Sequence, residues 1–450
     1  MRLAWFTPWP PQRTGVAGRS AELVLALAAR GLGVDVFVDD RVVPVRRVGD
    51  GPPVAGDVRV QSAHEFVWRD ARGQYDLVVY QMGNSSAHEF IWPYLTRWPG
   101  LTIFHDLRLH HARGHALLSQ HRVDAYRREL AWSEPALSPD AAELAIAGLD
   151  GTYYYMWPMH RLAVASSRAV GVHTRMGAAA LAAAWPDRPV GYVALGEGRA
   201  TPVSDAARAE ARARVGAAPD DVLFGVFGAL TPEKRIEPIV KAFAVAHARV
   251  PKTRLVAAGV LSRDVDWAGL VATHGLADAA THVDALADEQ FDETIAACDV
   301  TLHLRWPTAI ETSGPWLRAI AAGRATVTTA LEHLADVPAL DPRTWRPYVP
   351  DGAAPVSVAV DILDEDHSLR RALSRLAADA ALRARLGDAA RRHWEAEHTV
   401  ERMVQDTLDL AMRAAAAPAP PPVAPPVGPA SDPYAYAREL LAAFPEVPCM

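Results

Sequence analysis

A strand–loop–helix pattern opens this chain and starts again near its middle. Leu3-Ala4-Trp5-Phe6 reads as a strand, a Pro/Gly loop follows, and Ser20 to Arg30 carries Leu23, Leu27 and Ala28 at helical spacing before Gly31 stops the helix. After a polar, Ala/Arg-rich helix from Asp205 to Val215, the order returns as strand Val222 to Phe227, loop, and helix Ile236 to Arg249. A chain with this restart folds as two α/β units of similar size. Short apolar runs at Leu77 to Tyr80, Leu101 to Phe104 and Ala169 to His173 supply further strands of the first unit. Arg254 to Ala258, Val300 to Leu304 and Ala325 to Thr328 do so for the second. The stretches between them are long enough for crossover helices, which predicts doubly wound parallel sheets.

The expected boundaries are an N-terminal domain over residues 1–195, a linker and helix over 196–220, and a second domain over 221–413. The second domain ends in helices from Ser368 to Leu386 and from Val400 to Arg413. Residues 414–433 are a Pro/Ala-rich tether without the composition for a core. Within the final segment, 434–450, Tyr436, Leu440, Leu441 and Phe444 form one helical stripe from Tyr434 to Phe444. Open sheets of this kind bind ligands at the carboxyl ends of their strands, so two facing sheets favour a site in the cleft between them.

Composition removes several classes of function. Lys+Arg 46 against Asp+Glu 53 gives a net charge of -7, which argues against a global grip on nucleic acid. Cys298 and Cys449 are the only cysteines, too few for a disulfide framework or a Cys-rich metal site, and they fit a reducing cytoplasm. Pro8, Pro10 and Pro11 cut the first apolar stretch too early for a secretory signal, and the Ala-rich tract Gly177 to Trp185 is far shorter than the ~20 residues of a membrane span. The expected location is cytoplasmic, with peripheral contact at the inner membrane face left open.

Four stretches carry the chemistry. Thr14-Gly15-Val16-Ala17-Gly18 lies between the first strand and helix, where glycines let backbone approach a ligand and a helix start attracts anions; taken alone it reads more readily as a plain turn and helix start. Its glycine pattern is incomplete for a dinucleotide fingerprint, which argues against a dehydrogenase. His105 and Asp106 end a strand, placing His105 where it serves a substrate hydroxyl or sits as a satisfied structural residue. His111 and His115 share a helical face but lack the carboxylate motif of a metal site, and no metal is expected.

Lys234 and Arg235 open the first helix of the second unit, an arrangement suited to a diphosphate or to a solvated basic turn. The richest stretch runs from Leu304 to Gly323. Thr312 or Ser313 caps a helix there, Pro315 lies in its first turn, and Gly323 stops it. Glu311 is left just before the helix, either stabilised by the helix dipole or accepting sugar hydroxyls. Arg318 lies seven residues on, close to two turns away.

Taken in order, the Gly15/Gly18 loop, His105-Asp106, Thr231-Pro232-Glu233-Lys234-Arg235 and Glu311-Thr312-Ser313-Gly314 with its Ala-Ile-Ala-Ala-Gly sequel resemble the retaining GT-B glycosyltransferases of the glycogen-synthase-like, group 1 or GT4 class. The resemblance covers about residues 1–410. Tyr80-Gln81-Met82-Gly83-Asn84-Ser85, Trp92-Pro93-Tyr94-Leu95 and Pro307-Thr308 resemble a bacterial subgroup that carries the Glu-Thr-Ser-Gly motif. It implies a GT-B fold: two Rossmann-like domains facing across a cleft, with C-terminal helices and a Pro-rich tail.

The resemblance implies a metal-independent hexosyltransferase that takes a nucleoside-diphosphate sugar as substrate and needs no further cofactor. Lys234, with Arg235, would neutralise the donor phosphates, and Glu311 would hold the sugar. Ser313 and Gly314 would supply phosphate-binding amides, while His105 and the Gly15 to Gly18 loop would act from the first domain. Two departures stand out. Ala319 occupies the strict spacing of the family's second Glu, with Arg318 in its place when the helix is aligned by its Ala/Gly end. Ala229 replaces a frequent phosphate-binding Arg, leaving Lys234, Arg235 or Arg305 to compensate.

The implied acceptor is a glycan, a lipid-linked sugar or a small molecule. Arg108 to Glu143 is acceptor-facing by position, or else a solvated helix. Within the same fold, the alternatives are a non-catalytic nucleotide-sugar or partner-binding module and a nucleotide-sugar epimerase; a phosphorylase would need a cofactor-lysine context that the chain lacks.

Overall fold

The computed structural model describes residues 1–12, 14–45, 58–148, 151–198, 203–284, 286–348 and 352–423. Two compact units emerge, one from Met1–Val172, Leu181–Gly191 and the described chain from Leu408, the other from His173–Ala180 and Tyr192–Thr407. The first unit holds β1 (Arg2–Phe6), β2 (Gly33–Val38), β3 (Val58–Ser62), β4 (Leu77–Met82), β5 (Leu101–Phe104) and β6 (Ala169–Val172). Its sheet is seven-stranded in the order β3-β2-β1-β4-β5-β6-β7, closed by the short β7 (Val190–Tyr192). The second unit holds β8 (Val222–Phe227), β9 (Thr253–Ala258), β10 (Ala280–Val283), β11 (Val300–His303), β12 (Ala325–Thr329), β13 (Ala339–Leu340) and β14 (Ser357–Val360). They too form a seven-stranded sheet, ordered β10-β9-β8-β11-β12-β14-β13.

Every described strand pairing is parallel, including β1 with β2 and β4, and β8 with β9 and β11. Parallel strands covered by helices on both faces must be apolar throughout, and β4 and β12 are buried at every position. In each unit the order reverses beside the first strand, between β1 and β4 and between β8 and β11. Ligand sites of open α/β sheets form at such switch points.

The structure departs from the sequence reading in a few places. β3, β7, β10 and β13 lie at sheet edges, and their short or polar runs, such as Val58-Arg59-Val60-Gln61-Ser62, gave no buried-strand signal. The expected helix from Ser368 to Leu386 is two helices, Glu365–Ala378 and Ala380–Glu397. Asp379 makes the break: its Oδ1 accepts from Leu382 N at 2.8 Å and caps the second helix. The helix from Val400 continues to Ala416, three residues into the expected tether. The tether beyond residue 423 and the proposed helix from Tyr434 to Phe444 lie outside the described residues. No helix among the described residues is long and apolar enough to cross a membrane.

Candidate functional site

In the second unit the site begins where β8 ends. Gly228 adopts φ +87, a left-handed turn that costs glycine little, and a Cβ there would lie 2.6 Å from Lys234 Nζ. The chain turns through Thr231-Pro232-Glu233, and Lys234 folds back so that its ammonium donates to the carbonyl of Phe227. Burial holds the Lys234 amine far below its ordinary value, at about 7; the Arg305 charge adds to this and the Glu311 charge opposes it.

The loop after β11 completes the site. Trp306 N donates to Glu233 O at 2.8 Å, tying this loop to the Lys234 turn. Arg305 Nε lies 2.7 Å from Glu311 Oε1, while Glu311 Oε2 accepts from Ala309 N at 2.8 Å and from Thr308 Oγ1 at 2.9 Å. The intervening Ile310 sits at φ +61, rare for a β-branched residue and costing about 1–3 kcal/mol. Three contacts to one carboxylate offset that strain and pin Glu311. Ser313, not Thr312, caps the helix Gly314–Ala321, its Oγ accepting from Trp316 N at 3.4 Å; Thr312 donates instead to His173 O at 3.2 Å.

Lys234, Arg305, Glu311 and Ser313 therefore line one pocket at the carboxyl ends of β8 and β11, with His303 and Thr308. The free space is only about 30 Å³, room for about one water, because the Arg305–Glu311 pair and Lys234 fill it. A larger ligand has to displace these internal contacts with its own. His303 was not anticipated; its ring contacts Thr301 Oγ1 at 2.9 Å, and burial, with the Lys234 and Arg305 charges, lowers its pKa to about 3. Its place at the end of the β11 run was the one available signal.

Two expected donor-site residues are elsewhere. Arg235 does not share the pocket of Lys234. It takes a left-handed conformation at φ +59 and its guanidinium makes a two-pronged pair with Glu365, at 2.8 and 2.6 Å. Adjacent residues leave such a turn in different directions. Arg318 also turns away, contacting Asp292 at 3.0 Å and Glu197 at 3.4 Å over the Phe291 ring. Seven helical residues leave a residual rotation, and Glu197, 2% exposed, draws the guanidinium to the other side.

The first unit carries its own cluster at the ends of β4 and β5. His105 Nε2 lies 2.6 Å from Gln81 Oε1, and Asp106 Oδ2 accepts from Asn84 N at 2.7 Å. Asn84 Oδ1 in turn accepts from Ala112 N at 2.9 Å, at the start of the helix His110–Leu118. Gly83 has no room for a Cβ, which would lie 2.7 Å from His88 Nε2 and 3.1 Å from Asp106 Oδ2. Gln81→Leu should remove the contact that orients His105 and, at about 1.4 kcal/mol, slow any reaction using His105 about tenfold. A kcat loss with unchanged nucleotide affinity checks this.

Gly15 and Gly18 are not in a loop as expected. Thr14 Oγ1 accepts from Ala17 N at 3.0 Å and starts the helix at Gly15, so both glycines belong to the first turns of Gly15–Ala29. His111 and His115 do not converge: His111 packs edge-on against Tyr154, and His115 lies 3.7 Å from Glu89. No cluster of three or more metal-ligating residues occurs among the described residues.

No model of a known protein family matches this sequence, and no curated protein sequence does. Solved structures match over most of the chain. A sucrose-phosphate synthase from Thermosynechococcus elongatus is 18% identical, covers 92% of this chain and 99% of its own, and superposes with a TM-score of 0.62. HepE of Anabaena, solved with UDP and glucose, is 14% identical over 91% of this chain and 98% of its own, with a TM-score of 0.59. WaaG, a glycosyltransferase of lipopolysaccharide biosynthesis, is 15% identical over 91% of this chain and 99% of its own, with a TM-score of 0.58. With its two seven-stranded parallel sheets and their order, this chain has the α/β GT-B fold of those glycosyltransferases.

Proposed function

We propose that the protein is a retaining glycosyltransferase that moves a hexose from a nucleoside-diphosphate sugar to an acceptor hydroxyl. The observation that carries this reading is the convergence of Lys234, Arg305, Glu311 and the Ser313 helix cap in one pocket, at the switch point of a GT-B unit. Lys234 and Arg305 take the diphosphate, with Arg305 in the place expected of Arg235. The amides from Ser313 and Gly314 face the same charge, and the helix dipole adds to the attraction. Glu311, released from Arg305 as that side chain turns to phosphate, accepts sugar hydroxyls.

In the reaction the bond from the anomeric carbon to the diphosphate oxygen breaks and a bond to the acceptor oxygen forms on the same face. The acceptor's proton passes to the departing diphosphate. Negative charge grows on that diphosphate in the transition state, so fixed cations and amides there are the groups that accelerate transfer. UDP is the proposed nucleotide, supported by HepE having been solved with it. No metal or further cofactor is part of the proposal, and the acceptor is a glycan, lipid-linked or small-molecule hydroxyl. Cytoplasmic action, with or without contact at the membrane face, is compatible with it.

Glu311→Gln keeps the shape of the side chain and removes its charge; transfer and donor hydrolysis should fall about tenfold or more, as for the loss of a charged hydrogen bond. Unchanged rates in both Glu311→Gln and Lys234→Ala would exclude the reading. A second reading, a nucleotide-sugar-binding module without catalysis, draws on the internal ion pairs that engage Arg235 and Arg318. Slow hydrolysis of radiolabelled sugar nucleotides by the purified chain separates the two, since only an enzyme produces it.

A further inference from the structure

A second cavity lies in the second unit, on the other side of the Glu311-Thr312-Ser313 turn. Glu311 and Ser313 line the pocket of Lys234, whereas Thr312 lines this one, and Trp316, His333 and Leu334 form a wall common to both. The remaining lining comes from His173–Arg175, Tyr192, the segment Asp336–Pro338 and the end of the helix Ala380–Glu397.

Two polar atoms in the walls of this cavity lack a partner among the described residues. Trp316 is 3% exposed and its indole N–H has no partner; His393 Nε2 is likewise buried without one. An unmatched buried polar atom costs about 1–3 kcal/mol; both atoms are closed off from solvent, so a ligand satisfies them once the Trp316 or His393 ring turns towards the cavity. The rings also meet one another: Trp316 meets His398 edge-on at 5.7 Å, and His398 meets His393 at 5.3 Å.

Charge then selects the class of ligand. Arg175 is stacked over Tyr192 at 4.5 Å and paired with Glu397 at 2.6 Å and Asp336 at 3.5 Å, so one cation is balanced by two carboxylates. Burial lowers the His393 pKa and leaves its ring neutral, while it raises the Tyr192 phenol to about 12 and keeps it protonated. The arginine of this lining is thus already balanced, which disfavours an anion. Aromatic ring edges, the Tyr192 phenol and carboxylate acceptors match the C–H surface and hydroxyls of a neutral sugar. The free volume of about 230 Å³ falls below the ~300–1,000 Å³ of sites for drug-sized ligands and suits one pyranose ring rather than a nucleotide sugar.

We propose that this cavity is a second ligand site, which takes a single neutral sugar residue between Trp316, His393 and the Arg175–Asp336–Glu397 rim. It stands apart from the glycosyl-transfer reading, because it requires nothing of Lys234. The shared wall of Trp316 and His333 makes it adjacent to the pocket of Lys234 and Glu311.

The test is saturation-transfer NMR on the full chain with glucose, galactose, N-acetylglucosamine and sucrose, each at about 10 mM to detect millimolar affinity. At least one sugar should receive saturation from the native protein. Asp336→Asn and His393→Phe should each reduce the signal at least about fivefold, as expected for loss of one hydrogen bond. Lys234→Ala should leave it intact. A thermal shift with UDP, retained in Asp336→Asn and His393→Phe, shows that these variants are folded and reads the Lys234 pocket separately. No transfer from any of the four sugars would overturn the proposal. So would a signal that survives both rim variants, or one lost only in Glu311→Gln, which would place the sugar in the first pocket.

Discussion

Lys234→Ala is expected to lower sugar transfer about 10²-fold or more, the scale on which removal of a preorganised group facing developing negative charge acts. The reason is positional. Lys234 is the deeply buried cation of the pocket, and its amine is kept near a pKa of about 7 by burial, with Arg305 repelling its proton. A bound diphosphate reverses that balance and raises the pKa, so binding above pH 7 draws a proton from solution. Donor affinity should therefore fall as pH rises above about 7, by up to about tenfold per pH unit.

The unliganded fold should respond with the opposite sign. Its Lys234 pKa lies below the unfolded value, so the unfolded chain binds more protons across that window and stability from this group increases with pH. Titration calorimetry of UDP binding in two buffers of different ionisation enthalpy measures the proton uptake directly. Lys234→Met removes the same charge while keeping the aliphatic stem packed, and should abolish the uptake. An uptake retained in Lys234→Met would assign the proton to another group.

Gly259→Ala should be the most damaging single methyl group near the site. Gly259 holds φ +141, where an L side chain is strained, and its Cβ would stand 2.2 Å from the carbonyl oxygen of Gly228. That obstacle is backbone and cannot rotate away. Accommodating it must separate the ends of β8 and β9, where Gly228 N donates to Ala258 O at 3.0 Å, and we expect a loss of about 2–4 kcal/mol. Differential scanning calorimetry should show a lower Tm for the transition of the second unit, with weaker UDP binding because Gly228 also sets the turn that returns Lys234. A native melting profile would show that the two backbones can part at little cost.

The elements read correctly from sequence were those whose burial is uniform. Val222–Phe227 and Ile236–Arg249 have the expected bounds, because a fully buried strand and an amphipathic helix write their periods directly into the residue order. An edge strand such as Val58–Ser62 does not, since only two of its five positions are buried. The break at Asp379 was hidden in an Ala/Leu/Arg-rich stretch whose helical propensity continues through it, while a single cap bond ends the regularity.

For the site, spacing along the chain carried part of the information. Lys234, Arg305, Glu311 and Ser313 share a pocket because strand ends at a switch point bring their loops together, which motif order already implied. The directions of Arg235 and Arg318 were not implied. A left-handed residue turns one guanidinium to Glu365, and Asp292 with the buried Glu197, 26 and 121 positions earlier in the chain, draws the other.

The sequence by itself determined two α/β units, parallel sheets and the loops that bear the chemistry, because apolar periodicity and strand–helix alternation are local properties. Only the tertiary structure decided which charges stay in the pocket, as Arg305 and Glu311 do, and which are held outside it in other ion pairs. A guanidinium goes to the carboxylate that lies closest in space, and that distance is set by chain segments far apart in sequence.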